Sequence, residues 1–100
     1  METFGEYIRQ LRIDARLPIR KIAAQLDIDS SLLGRIERNE RHANKEIIAG
    51  IANIFNQNKQ DLMQRFLSDQ IAYKIIDEDA DINVLKVAEQ KIEYLKSKKI

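Results

Sequence analysis

Hydrophobic residues recur at helical spacing along most of the chain, and this pattern predicts a series of short helices. A first helix is predicted over about residues 4–16, with its apolar positions on one face: Phe4, Tyr7, Ile8, Leu11 and Ala15. The alternation typical of strands is absent, and three glycines and one proline leave few positions that would interrupt a helix. The sequence therefore predicts an all-α fold.

Two shorter helices are predicted between Pro18 and Arg38, joined by a tight turn. Pro18 suits the first turn of a helix because its missing N–H is not needed there. The first of these helices is expected to bury Ile19, Ile22, Ala23 and Leu26, and the second Leu33 and Ile36. Asp29 is a suitable N-cap for the second helix, and Asn39 can take the left-handed conformation that ends it.

The second of these helices has a polar and basic outer face. At about 100° per residue, Ser31, Arg35 and Arg38 fall together, opposite the apolar pair. A helix that buries one side and offers hydroxyl and guanidinium groups on the other suits the major groove of DNA. The alternative is an ordinary solvated helix face.

Two further helices complete a predicted first domain over residues 1–67. Asn44 can cap a fourth helix, whose apolar positions are Ile48, Ile51, Ala52 and Phe55. A fifth helix is predicted from near Asn58, with Leu62, Phe66 and Leu67 as its apolar positions. The tyrosines and phenylalanines in this region fall at core spacing, which favours packing over a cofactor site.

Residues 68–100 form a predicted helical extension. The stripe of Leu67, Ile71 and Ile75 either continues the fifth helix or starts a new one at Ser68. An acidic run at 77–81 precedes a last helix over about 82–98, which ends in Lys96, Lys98 and Lys99 and has the apolar face Leu85, Ala88, Ile92 and Leu95. This face must be covered, by the chain's own domain or by a second subunit.

The segment from Pro18 to Arg38 resembles the helix-turn-helix of the XRE (phage repressor and Cro-like) family. The resemblance rests on Ala23, on Ile28 after the turn, and on the run Leu33-x-x-Ile36-Glu37-Arg38. It implies a five-helix phage-repressor-like domain that binds DNA. The chain departs from the family at two positions, with Asp27 at the turn where Gly is usual and Ile19 where a DNA-contacting Gln is common.

The resemblance also implies roles for individual residues. It assigns base reading to Ser30, Ser31 and Arg35, and phosphate contacts to Arg38, Arg41 and His42. Arg20 and Lys21 are further candidates to bind phosphate, because the neighbouring Ile19 has no polar group that could do so. Family members carry an arginine–glutamate ion pair at the positions of Arg12 and Glu37, which implies such a pair here.

Charge and composition narrow the chemistry further. Residues 16–45 hold seven basic and four acidic residues, a net charge of +3, whereas residues 68–100 hold six basic and seven acidic ones, a net charge of −1. This asymmetry places the positive charge around the candidate DNA-reading helix. The chain has no cysteine, and its other residues form no catalytic motif and no calcium loop, since Ile82 and Ala88 stand where the acidic run would need Gly and Glu. No enzyme activity, cofactor or metal is therefore expected.

These observations predict a transcriptional regulator that acts as a homodimer on double-stranded DNA with a pseudo-palindromic operator. No apolar run approaches the roughly 18 residues of a membrane span, so no membrane partner and a cytoplasmic location are expected. A controller of a restriction–modification or mobile-element locus is one refinement. The alternative is an antitoxin-like module, whose last helix binds a partner protein while the DNA-binding domain regulates its own expression.

Overall fold

The computed structural model describes residues 1–98, which hold six α-helices and no strand. The helices are α1 (Phe4–Asp14), α2 (Ile19–Leu26), α3 (Ser30–Glu37), α4 (Lys45–Ile54), α5 (Lys59–Asp77) and α6 (Val84–Ser97). The all-α prediction is thus confirmed over this range. Lys99, expected in the basic end of the last helix, lies outside the described residues.

The hydrophobic core is built from one face of each of α1 to α5. Its largest fully buried side chains are Ile22, Leu33, Ile36, Ile48, Ile51 and Leu62. Burying a side chain of this size stabilises the fold by about 1.5–3 kcal/mol. Both α1 and α2 pack against α3, and α2 also packs against α4. Because α3 lies against two other helices, its inner face is fixed by the core.

Side-chain caps begin three of the helices α1 to α5. Thr3 and Glu6 form a reciprocal capping box at the start of α1, in which each side chain accepts a backbone N–H of the other residue. Asn44 accepts the N–H of Ile47 at 2.8 Å, as predicted for the start of α4, and Asn58 accepts the N–H of Asp61 at the start of α5. Asp29 occupies the N-cap position of α3, but its side chain accepts no capping hydrogen bond, so this part of the prediction is wrong.

Five helices end in a residue with left-handed backbone geometry, and none of the five is glycine. The residues are Arg16, Asp27, Asn39, Asn56 and Asp79, with φ between 50° and 63°. At each of them the next N–H reaches back to a carbonyl of the preceding helix, as in the bond of 2.8 Å from the Glu40 N–H to the Arg35 carbonyl. The left-handed geometry expected of Asp27 and Asn39 is confirmed.

Two distant segments complete the amino-terminal turn of α1. The N–H of Phe4 donates to Asp69 Oδ2 at 2.7 Å, and the N–H of Gly5 donates to Asn39 Oδ1 at 3.3 Å. Gly5 also lets α1 approach the end of α3, because a Cβ at this position would lie 2.5 Å from the carbonyl oxygen of Ile36. The start of α1 is therefore tied both to α5 and to the end of α3.

The chain divides into two compact units, Met1–Asp69 and Gln70–Ile100, two residues beyond the boundary expected after Leu67. Helix α5 continues without a break past Ser68, which decides between the two alternatives for this segment. Leu67 was expected in the core but is half exposed, because it lies about 140° around α5 from the buried Leu62. Ala15 is also exposed, since α1 ends one residue before it.

Candidate nucleic-acid interface

The outer face of α3 carries the residues predicted to read bases. Ser30, Ser31 and Arg35 are all exposed, while Leu33 and Ile36 on the inner face keep only 1% of their surface accessible. Ser31 and Arg35 are four residues apart, so their Cβ atoms are neighbours on the helix surface, about 6 Å apart. The structure thus brings a hydroxyl and a guanidinium group together on the exposed side of a helix whose other side is fixed.

Arg38 stands at the carboxyl end of α3 and forms an exposed ion pair. Its Nε donates to Glu40 Oε2 at 2.6 Å, and both side chains are more than half accessible. Exposed pairs of this kind contribute little to stability, so the guanidinium can exchange its carboxylate for another anion at small cost. Gly34 lies beneath it, where a Cβ would be 3.2 Å from Arg38 Nη1. Arg38 can therefore meet a phosphate at the end of the helix.

The other predicted phosphate contacts lie in segments that flank α3 along the chain. Arg20 and Lys21 are exposed in the first turn of α2. Arg41 and His42 are exposed in the connection between α3 and α4. The His42 ring stands edge-on to the Phe66 ring of α5, with centroids 6.2 Å apart, and this contact orients the histidine. These residues supply basic or hydrogen-bonding groups on both sides of α3.

A buried ion pair joins α1 to α3. Arg12 donates to both carboxylate oxygens of Glu37, from Nε at 2.8 Å and from Nη2 at 2.9 Å, and its Nη1 donates to the carbonyl of Leu17 at 3.2 Å. Only 5% of the Glu37 side chain and 16% of the Arg12 side chain remain accessible. The bond to Glu37 raises the pKa of Arg12, so the arginine stays charged. This two-bond geometry fixes the direction of α3 relative to α1.

The side chain of Asn39 also holds the end of α3 against α1, through contacts that the sequence pattern did not indicate. Its side chain accepts the N–H of Gly5 and donates from Nδ2 to Thr3 Oγ1 at 2.8 Å. Sequence reasoning identified Asn39 only through its left-handed backbone. The contacts of its amide group join residues more than thirty positions apart, and helical periodicity carries no signal for such a pair.

The described residues contain no group of histidine, cysteine, aspartate or glutamate arranged to hold a metal ion. No helix between residues 1 and 98 has the length and apolar character that a membrane crossing requires. Every fully buried side-chain nitrogen or oxygen in this range has a hydrogen-bond partner.

Comparison with known proteins gives two matches. The family model HTH_3, described as helix-turn-helix, matches residues 8–62, which is more than half of the chain. The crystal structure of the clp gene regulator ClgR from Corynebacterium glutamicum is similar, with a TM-score of 0.57 and 19% sequence identity over 88% of each chain. That similarity shows a shared fold. No curated protein sequence matches the chain.

Proposed function

The chain belongs to the helix-turn-helix family HTH_3, of the XRE (phage repressor and Cro-like) type, and from this premise we propose that it regulates transcription by binding specific double-stranded DNA sequences. The observation that carries the proposal is the division of α3 into a buried face and an exposed face with Ser31 and Arg35. The role is one of binding, without catalysis, and it places the protein with the DNA in the cytoplasm.

In this proposal Ser30, Ser31 and Arg35 read the edges of bases in the major groove. An arginine can donate two parallel hydrogen bonds to guanine, which is the commonest specific contact between a side chain and a base. A reading helix must also be held at a fixed angle, because a shift of the helix moves every base contact at once. The pair of Arg12 and Glu37 supplies that fixation without touching DNA.

The exposed side chains of Arg, Lys and His around α3 position the protein on the DNA backbone. Arg20, Lys21, Arg38, Arg41 and His42 are exposed and flank the reading helix along the chain. Contacts to phosphate set the register of the protein but carry no sequence information, and they make the affinity depend on salt. Substituting these residues should therefore lower the affinity for all DNA sequences alike, whereas substituting Arg35 should lower the preference for the specific sequence.

The regulator acts as a homodimer on a pseudo-palindromic operator. Two reading helices in one dimer enter successive major grooves on one side of the duplex when their centres are about 34 Å apart. The short helical extension suits a controller of a restriction–modification or mobile-element locus, which is the refinement that the resemblance suggests.

Selection of bound sequences from a random oligonucleotide pool, followed by sequencing, tests this function. We expect two inverted half-sites whose centres are separated by about 10 base pairs or a multiple of that spacing. A single half-site would indicate a monomer on DNA, and an unenriched pool would refute sequence-specific binding. The pool bound by Arg35→Ala serves as the matched control, because enrichment should fall at one position in each half-site.

A second candidate function is an antitoxin-like module that binds a partner protein and regulates its own expression. It is favoured by α6, in which none of the described side chains is buried. Co-purification of a different protein, abolished when residues 82–100 are removed, would favour this alternative. A purified chain that forms only complexes with itself would favour the homodimeric regulator.

A further inference from the structure

Helix α6 exposes hydrophobic surface along its whole length. None of its residues is buried, and its large apolar side chains keep 40–58% of their surface accessible, namely Val84, Leu85, Val87, Ile92, Tyr94 and Leu95. A helix of 14 residues is only marginally stable in water on its own. It therefore needs a surface that covers these side chains.

Four of the apolar positions have the spacing of a coiled-coil seam. Leu85, Ala88, Ile92 and Leu95 follow one another at intervals of three, four and three residues, which places them on one line along the helix. The small Ala88 and the larger Ile92 lie on either side of the midpoint of this seam, near Gln90. A seam of this kind is complementary to a second copy of itself.

The two ends of α6 carry opposite charges. Asp79 and Asp81 precede the helix, and Asp81 accepts the N–H of Asn83 at 2.7 Å, which holds its carboxylate at the helix start. Lys96 and Lys98 stand at the other end, where Lys98 Nζ lies 5.0 Å from the centroid of the Tyr94 ring. Two copies packed in parallel would place acid beside acid and lysine beside lysine. Two copies packed antiparallel would place each acidic end beside a basic end.

We propose that α6 packs antiparallel against α6 of a second copy of the chain, around a two-fold axis near Gln90. This inference rests on the proposed function, since the second copy is the other half of the DNA-binding dimer. At about 1.5 Å per residue, Leu85 then lies opposite Leu95 of the second copy, and Ala88 lies opposite its Ile92. Measured along the helix axis, Asp81 of one copy then lies within about 2 Å of Lys98 of the other.

The charges beside the seam do not decide the orientation, so the helix ends do. In the parallel arrangement Lys91 faces Lys96 of the second copy, which gives two like-charge contacts per dimer. In the antiparallel arrangement Lys91 and Glu89 each face their own counterparts, which also gives two. The charges at the ends, in contrast, are attractive in one orientation and repulsive in the other. Antiparallel packing also brings each helix dipole beside one of opposite direction.

Disulfide cross-linking of the full chain tests the orientation directly, because the natural sequence has no cysteine. The variants Leu85→Cys and Leu95→Cys are purified separately, oxidised alone, and oxidised again after being mixed and allowed to exchange subunits. We expect cross-linked dimers in the mixture only. Position 85 of one copy lies about 15 Å along the helix axis from position 85 of the other when the helices are antiparallel. This exceeds the Cα separation of about 7 Å that a disulfide can span.

Self-linking of either variant alone would overturn the proposal in favour of parallel packing. A dimer in sedimentation whose mixture gives no cross-link would overturn it in favour of a different interface, and a monomer in sedimentation would overturn it as well. Gln60→Cys, at an exposed position of the first unit, measures linking by random collision. None of these outcomes depends on DNA, so sequence selection with the unmodified chain can still succeed or fail separately.

Exchange of the end charges gives a second, independent measurement. The double variant Lys96→Glu, Lys98→Glu should raise the dissociation constant of the dimer about tenfold at low salt, and less at high salt. Adding Asp79→Lys and Asp81→Lys should restore the dimer, because each end again faces its opposite. In a parallel dimer the first change would replace the repulsion between Lys96 and Lys91 of the second copy by attraction, so it would not raise the dissociation constant. An unchanged dissociation constant, or no restoration with helix content preserved, would overturn the proposal.

Discussion

The substitution Glu37→Gln removes one charge from the buried pair that joins α1 to α3. The glutamine is nearly the same size as the glutamate, so the change tests charge and hydrogen bonding rather than volume. It leaves the Arg12 side chain, of which 16% is accessible, without an opposite charge, while the glutamine Oε1 and the Leu17 carbonyl can still accept hydrogen bonds from it. We expect lower stability and lower DNA affinity together, although Glu37 is turned away from the proposed DNA face.

The magnitude follows from the burial of the two side chains. Removing one member of a fully buried ion pair costs about 3–5 kcal/mol, because the remaining charge stays buried without its partner. Arg12 keeps some contact with water, so we expect about 3 kcal/mol, near the lower limit. For a unit of this size, that corresponds to a fall in Tm of roughly 12–24 °C. The bond to Glu37 raises the pKa of Arg12. The stability that this shift adds is therefore fully present below the pKa of arginine in the unfolded chain, and it is lost only as the pH rises through the raised value.

Thermal unfolding followed by circular dichroism measures this prediction. Glu78→Gln is the matched control in the same chain, because Glu78 pairs with Lys74 at 3.1 Å while both side chains are more than 60% accessible. That variant should change the free energy of unfolding by less than about 0.5 kcal/mol. If Glu37→Gln and Arg12→Met each unfold at the temperature of the natural chain, the pair does not fix α3 and the argument from burial is refuted.

Four further predictions concern single residues elsewhere in the first unit. Arg35→Ala should lose about 1–3 kcal/mol of discrimination at one base pair per half-site. Arg38→Ala should weaken binding to all DNA sequences alike and flatten its salt dependence. Competition titrations would contradict this if both variants lost specific and non-specific binding equally. Gly5→Ala should lower the free energy of unfolding by several kcal/mol, at about the upper end of single-mutation effects, because its Cβ would meet carbonyl oxygens of α3; an unchanged urea midpoint would show that α1 can move away. Asp27→Gly should raise stability by about 0.5 kcal/mol, since φ is 57° there, and a lower urea midpoint would refute it. The capping box lowers the pKa of Glu6 through its hydrogen bonds to Thr3, so the stability it adds is present above pH 4.5 and is lost as the pH falls through the lowered value. Glu6→Gln should be less stable than the natural chain at pH 7, and the difference should disappear as the pH falls below the lowered pKa of Glu6; a constant difference at all pH values would exclude this cause.

Local rules predicted most of the fold correctly. The spacing of Leu33 and Ile36 indicated the inner face of α3, and both side chains are buried. Asn44 was predicted as a cap from its residue type and position, and it makes the expected bond. Such features involve residues within four positions of one another, so the sequence itself contains the information.

Features that depend on distant contacts could not be predicted in the same way. The amide of Asn39 and the close approach at Gly5 were missed, since both need the position of α1 relative to α3. The error at Leu67 is of another kind: at about 100° per residue it lies about 140° around α5 from the buried Leu62, so the two leucines do not share one face, and Leu67 is half exposed. For the candidate site, residue type and the family resemblance supplied the roles of Ser30, Ser31 and Arg35, and these remain predictions.

The bond from the Phe4 N–H to Asp69 has a consequence for the order in which the chain can fold during synthesis. The donor and the acceptor are 65 positions apart, and at about 5–20 residues per second a ribosome needs roughly 3–13 s to add that stretch. During this interval the first helix has neither its distant acceptor nor the Phe66 ring of α5, whose centroid lies 5.4 Å from that of the Phe4 ring. A nascent chain arrested before position 69 should therefore remain sensitive to protease in its first turn, and protection should come only when the end of α5 has left the ribosome.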